Sequence, residues 1–164
     1  MPLLILLIIF QVNQKVYETE IMNPNDQLHL KIKLSSSPEK IYELLSTNHG
    51  REKFWVEKSV ESNKIVTFYF PNGAIENCRI LKKVEEKYFK IEYFNSLVEF
   101  KIIRHSEKEC ILELNNFNIP AADRFEQYAG WVSVLLSLKA YADFGIDLRN
   151  HHPDYTWDQH FIDN

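Results

Sequence analysis

Glu92 and Glu99 are the first side chains to weigh for chemistry. They flank a hairpin predicted at Asn95-Ser96, and two close carboxylates with split pKa values equip a site for acid–base work. Strand alternation argues against that use. Glu99 lies between Val98 and Phe100, so it takes the face opposite to theirs. Glu76 and Glu113 read the same way, as outward charges on a half-solvated sheet. Cys78 and Cys110 form no CxxC pair, and two cysteines are too few for a disulfide framework or a thiolate zinc site. They are expected as partly buried thiols in strands. Arg79 adjoins Cys78, but neighbours along a strand point to opposite faces, so it does not activate the thiol. No GxSxG elbow occurs, and no catalytic residue is assigned.

The histidines suggest little. His29 falls on the polar face of the first strand, and His49 and His105 fall near turns. The last residues hold His151, His152, Asp154, Asp158 and His160. These types ligate zinc, but their spacing matches no standard motif, and no metal site is assigned. With 4 glycines the chain has neither GxGxxG nor GxxxxGK[ST], so no phosphate loop and no cofactor are expected.

The aromatic residues are a stronger group. Trp55, Phe68, Phe70, Tyr93, Phe100 and Trp131 are expected on strands or on a C-terminal helix. Joined by Cys78 and Leu135, they form the candidate lining of an apolar cavity with the Tyr93 hydroxyl as a polar handle. The competing reading is a packed core with no cavity. Strand parity puts Val66, Phe68 and Phe70 on one face, and Val98, Phe100 and Ile102 on one face of another strand.

The elements that must position these rings follow from periodicity. Gln27 to Leu34 (QLHLKIKL) alternates apolar and polar residues, as a half-buried strand does. Ser37 as N-cap, Pro38 as N1 and Glu39 in the first turn then open a short helix with Ile41, Leu44 and Leu45 on one face. Gly50 suits a chain reversal after it. From Phe54 to Phe117 strand follows strand: KIVTFYF, a PNG turn at 71–73, AIENCRILKKV, YFKIEYF, LVEFKII and ECILELNNF. Their short connections require antiparallel neighbours. Pro120 then opens a long helix, roughly Ala121 to Phe144, closed by Gly145. One stripe holds Phe125, Ala129, Val132, Leu135 and Leu136, and a second holds Trp131, Val134, Leu138 and Tyr141. A helix apolar over so wide an arc should be gripped by other structure. The fold class is therefore α+β, a curved antiparallel sheet wrapped around a long C-terminal helix, with some space left between them.

The chain has 164 residues, 45% hydrophobic, which suits one domain. Lys+Arg is 19 against Asp+Glu 23, giving −4, so no basic field exists for nucleic acid. Pro2 to Phe10 is an unbroken apolar run, short of the ~20 residues that span a bilayer. It has no basic n-region and no small-residue cleavage site. It reads as a membrane-surface anchor, an arm packed on the domain, or an extension from a misassigned start. The last is preferred, because Met22 opens MNPNDQ just ahead of the first strand. The expected organisation is an extension over 1–21, a domain over 22–150 and an aromatic, acidic tail over 151–164. No stable membrane insertion is expected.

Several of these segments carry a family resemblance. The strand followed by SPEKIYELLS, the pair Phe54-Trp55, and GWVSVLLSLKAYADFGIDLRN at 130–150 resemble the helix-grip proteins of the START/Bet v 1-like superfamily. More narrowly, the chain resembles the group named after the C-terminal domain of the activator of Hsp90 ATPase. The resemblance implies a helix-grip fold, a cytoplasmic protein and a small hydrophobic or amphipathic ligand held between sheet and helix. It also implies a second possibility, an adaptor whose partner is an Hsp90-type chaperone ATPase. A third is an enzyme of cyclase or hydrolase type using the same cavity.

Overall fold

The computed structural model describes residues 27–163. The apolar run Pro2 to Phe10 and the start proposed at Met22 lie outside them. Seven strands form one antiparallel sheet: β1 Leu28–Leu34, β2 Lys58–Ser62, β3 Ile65–Tyr69, β4 Ile75–Val84, β5 Tyr88–Tyr93, β6 Ser96–Arg104 and β7 Cys110–Phe117. The order is β1-β7-β6-β5-β4-β3-β2, a meander whose last strand returns beside the first. Helices α1 (Pro38–Ser46) and α2 (Asn48–Arg51) connect β1 to β2, and α3 (Arg124–Phe144) follows β7. This is the helix-grip architecture.

The alternation read in the sequence carries the packing. Val66, Phe68, Val98 and Phe100 are all fully buried, as parity required. Ser37 caps α1, accepting from Lys40 N at 3.3 Å, with Pro38 at N1. The PNG turn closes with Gly73 N donating to Phe70 O at 3.0 Å, and Gly73 has φ +82°.

Three expectations need correction. Asn95-Ser96 is not the hairpin turn. Phe94 and Asn95 take it with φ 43° and 57°, and Ser96 begins β6 opposite Tyr93. The left-handed pair Asn63-Lys64 builds a further tight hairpin between β2 and β3, and β2 had no clear period in the sequence. Gly50 does not reverse the chain. It lies inside α2, where a Cβ would stand 2.5 Å from Glu43 O and from Leu44 Cα, so the close crossing of α1 and α2 requires it. Finally, α3 starts at Arg124, and residues 120–123 form a turn closed by Asp123 N to Pro120 O at 2.9 Å.

Helix α3 is gripped on one side. Trp131, Leu135, Leu138 and Ala142, at helical spacing, are buried against the sheet. The opposite side keeps Phe125 87%, Leu136 51% and Phe144 69% exposed, so the wide apolar arc is only half covered. Gly145, at φ 71°, ends the helix, its N–H on Tyr141 O and the Ile146 N–H on Ala140 O. Among the described residues no helix is long and apolar enough to cross a membrane.

Arg51 is a buried charge that the sequence did not announce. It is 0% exposed and donates to Ser59 Oγ, Leu45 O, Asn48 Oδ1 and Glu61 Oε2. Glu61 also takes Lys83 at 2.7 Å. These bonds tie the α1–α2 corner to the sheet edge. Gly50→Ala should lower stability by about 1–3 kcal/mol through backbone overpacking. Arg51→Ala should cost about 3 kcal/mol by orphaning its acceptors. Urea unfolding of both variants tests this corner, and a change below about 0.5 kcal/mol in either would contradict its packing.

Candidate functional site

The site is built around Trp55, which lies neither on a strand nor on a helix, against expectation. It sits in the loop 52–57 after α2. Trp55 N donates to Arg51 O at 2.9 Å and Val56 N to the same oxygen at 3.3 Å, a tight reversal that turns Phe54 and Trp55 inward. Arg149 fixes this loop from outside. Its Nη1 donates to Val56 O at 2.9 Å and its Nη2 to Glu52 O at 2.7 Å, while Asp147 takes Nε and Nη2.

Inside, the Trp55 ring meets Phe68 from β3, Tyr93 from β5, Phe100 from β6 and Trp131 from α3, with centroids 5.0, 5.5, 5.7 and 5.6 Å away. All are tilted or edge-on arrangements, the geometries that aromatic quadrupoles favour. This cluster fills the space between sheet and helix. The hollow lies beyond it, at one end of the grip.

That hollow is a cavity of about 360 Å3, within the range of small-molecule sites. Trp55, Tyr93 and Trp131 are among its walls, joined by Phe70 and Pro71 from the β3–β4 turn and Phe94 from the β5–β6 turn. Helix α3 presents Glu126, Gln127, Gly130 and Val134. A Cβ on Gly130 would meet nothing within 4 Å, so this glycine leaves room. The C-terminal segment completes the rim with Arg149, Trp157 and Asp158. It is held there by Trp157 Nε1 donating to Glu126 Oε1 at 3.1 Å, Asn72 Nδ2 to Asp158 Oδ2 at 3.0 Å and Ser133 Oγ to Ile162 O at 2.7 Å.

Two polar groups stand in the aromatic wall. Tyr93 Oη accepts the Trp55 Nε1 hydrogen at 3.4 Å, which leaves its own proton to donate. Burial raises its pKa far above the usual phenol value, so it stays a neutral hydroxyl. Trp131 is 2% exposed, and its indole N–H is buried with no acceptor among the described residues.

Of the residues singled out from sequence, Trp55, Phe70, Tyr93 and Trp131 line the cavity. Phe68, Cys78, Phe100 and Leu135 are outside its lining and packed in the core, at 0, 0, 0 and 4% exposure. The Cys78 thiol is pushed strongly up by burial, and the Cys110 thiol to about 11 by the same cause. Glu92 and Glu99 do not pair with each other, since Arg79 holds one and Lys90 the other. His151 bridges Glu57 and Asp147 at 2.7 and 3.0 Å. His152 stacks on Tyr155, which packs on Phe161, so the tail aromatics cover one another as well as the domain. Sequence reading missed Arg149, Asp123 and Glu126. The one available hint was the position of the last two at the mouth end of the long helix.

No protein-family model and no curated protein matches this sequence. Solved structures do. A conserved protein of unknown function from Enterococcus faecalis aligns with TM-score 0.65 and 20% identity over 83% of this chain and 82% of its own. A Staphylococcus saprophyticus protein aligns with TM-score 0.65 and 18% identity over 75% and 96%. The Aha1 dimer from Colwellia psychrerythraea aligns with TM-score 0.63 and 22% identity over 73% and 97%. At these identities the likeness shows a shared helix-grip fold.

The Arg149–Asp147 clamp has a pH limit. Burial alone would raise the Asp147 pKa, but hydrogen bonds from Arg149, its positive charge and His151 outweigh that and bring it to about 2. Unfolded Asp titrates near ~3.9. The clamp is therefore fully stabilising above that value and is lost as pH falls towards about 2. Tryptophan emission followed down in pH should shift red across that interval as Trp157 is exposed. Asp147→Asn should shift it already at neutral pH, and an unchanged acid profile in that variant would contradict the clamp.

Proposed function

We propose that this chain is a START-like helix-grip carrier or sensor that binds a small amphipathic ligand in the mouth cavity. The observation that carries the reading is the aromatic-walled cavity of about 360 Å3 at the end of the grip. The Tyr93 hydroxyl offers a donor. The apolar part of the ligand would lie against Trp55, Phe70 and Val134, gaining ~25 cal/mol per Å2 buried. Of the sequence-derived set, this reading gives ligand contact to Trp55, Phe70, Tyr93 and Trp131. It gives Phe68, Cys78, Phe100 and Leu135 the role of backing.

A second reading has one observation in its favour. The row Phe125, Leu136 and Phe144 is apolar and exposed along the outer side of α3. Under that reading the row meets an Hsp90-type ATPase, the partner that the resemblance implies. Stimulation of a purified chaperone ATPase by the full chain would favour it.

The cavity reading has a direct test. The chain's three tryptophans, Trp55, Trp131 and Trp157, all line the cavity, so intrinsic fluorescence reports its occupancy. Gly130→Leu should fill it while improving helix propensity by up to ~1 kcal/mol. The variant should keep its melting temperature and lose at least about tenfold in affinity for decanol. Full decanol affinity in folded Gly130→Leu protein would overturn the assignment.

A further inference from the structure

The C-terminal segment that rims the cavity is built as a unit of its own. Its two ends meet, with Asn150 N donating to Asp163 O at 2.7 Å and Asn150 Nδ2 to Asp163 Oδ1 at 2.9 Å. Between them the loop is tied to itself. Asn150 Nδ2 also donates to Tyr155 O at 3.1 Å, and Thr156 and Gln159 form a capping box around one helical turn at Trp157–Gln159. The Tyr155 ring stacks on His152 and packs on Phe161, with centroids 4.3 and 4.9 Å away. A surface loop whose ends meet and whose own side chains pack it is an Ω-loop. Such a loop can move as one body, since its internal bonds survive the motion.

Its attachments to the domain differ between base and tip. At the base the anchor is buried. Arg149 is 8% exposed and holds Asp147 and two carbonyls of the loop 52–57. His151 adds a bridge from Glu57 to Asp147. At the tip the bonds join exposed groups and cross the mouth. Trp157 Nε1 reaches Glu126 on α3, and Asp158 takes Asn72 from the β3–β4 turn on the other wall. All of these tip residues and their partners line the cavity. Ser133 Oγ holds the returning limb at Ile162 O. Exposed hydrogen bonds exchange readily for bonds to water, so each contributes little net stability. Opening the tip breaks bonds of this kind and leaves both the base and the interior of the loop intact.

We propose that residues 150–163 are a hinged flap that gates the cavity. The flap swings about its base at Arg149, releases Trp157 from Glu126 and Asp158 from Asn72, and admits ligand between α3 and the β3–β4 turn. This inference rests on the cavity reading and deepens it by assigning the gate. A gate sets the rates of entry and exit together and moves affinity little.

Stopped-flow tryptophan emission of the full chain with decanol tests the flap. Glu126→Ala with Asp158→Ala removes both tip acceptors. It should raise the association and dissociation rates together, each by at least about threefold, with Kd changed by less than about twofold. Asn72→Cys with Asp158→Cys, joined by a short thiol-reactive crosslinker, should slow both rates at least about tenfold against the same protein before crosslinking. Cys78 and Cys110 are buried and do not compete for the reagent. Crosslinked protein that exchanges decanol as fast as before overturns the flap and leaves the cavity reading standing. So does a Glu126→Ala, Asp158→Ala variant in which dissociation alone rises, the mark of a lost wall contact. An unmodified chain that binds no decanol overturns both.

Discussion

The packing of one loop tryptophan decides the rest of this structure. Trp55 stands where the sheet and α3 face each other and touches rings from three strands and the helix. Burying an indole of this kind removes ~150–250 Å2 from water, worth ~4–6 kcal/mol at the usual coefficient. It fills the interior that a curved sheet would otherwise leave open. The remaining space is displaced to the end of the grip, where turns and the C-terminal segment close around it.

Two arginines hold that arrangement from opposite sides. Arg51 is buried beneath the loop and joins the α1–α2 corner to β2. Arg149 comes from beyond α3 and binds the loop's own carbonyls. The segment after α3 is therefore a structural part of the cavity, since its Trp157 and Asp158 form the rim.

Local pattern made much of the fold legible. Period-two alternation located β1 and the inner faces of β3 and β6, the Ser37-Pro38 signal opened α1, and PNG marked a turn whose geometry needs glycine at Gly73. Four of the eight proposed lining residues do line the cavity. The rest was hidden for physical reasons. Trp55 is placed by a loop reversal around Arg51 O, which has no periodicity to detect. Phe68 has the same parity as Phe70, yet depth in the core decides which ring sees the cavity, and depth is a tertiary property. Arg149 acts on residues 52–56, almost a hundred positions earlier, and no local rule joins them. Gly50 looked like a reversal, because a glycine needed for close approach reads the same as one needed for positive φ.

A crystal structure of the full chain grown with decanol tests the account most directly. It should show the alkyl chain between Phe70, Val134 and Trp157, with Trp55 unmoved among its ring partners. Density for the alkyl chain inside the sheet with Trp55 displaced, or on the outer side of α3 against Phe125 and Leu136, would contradict it.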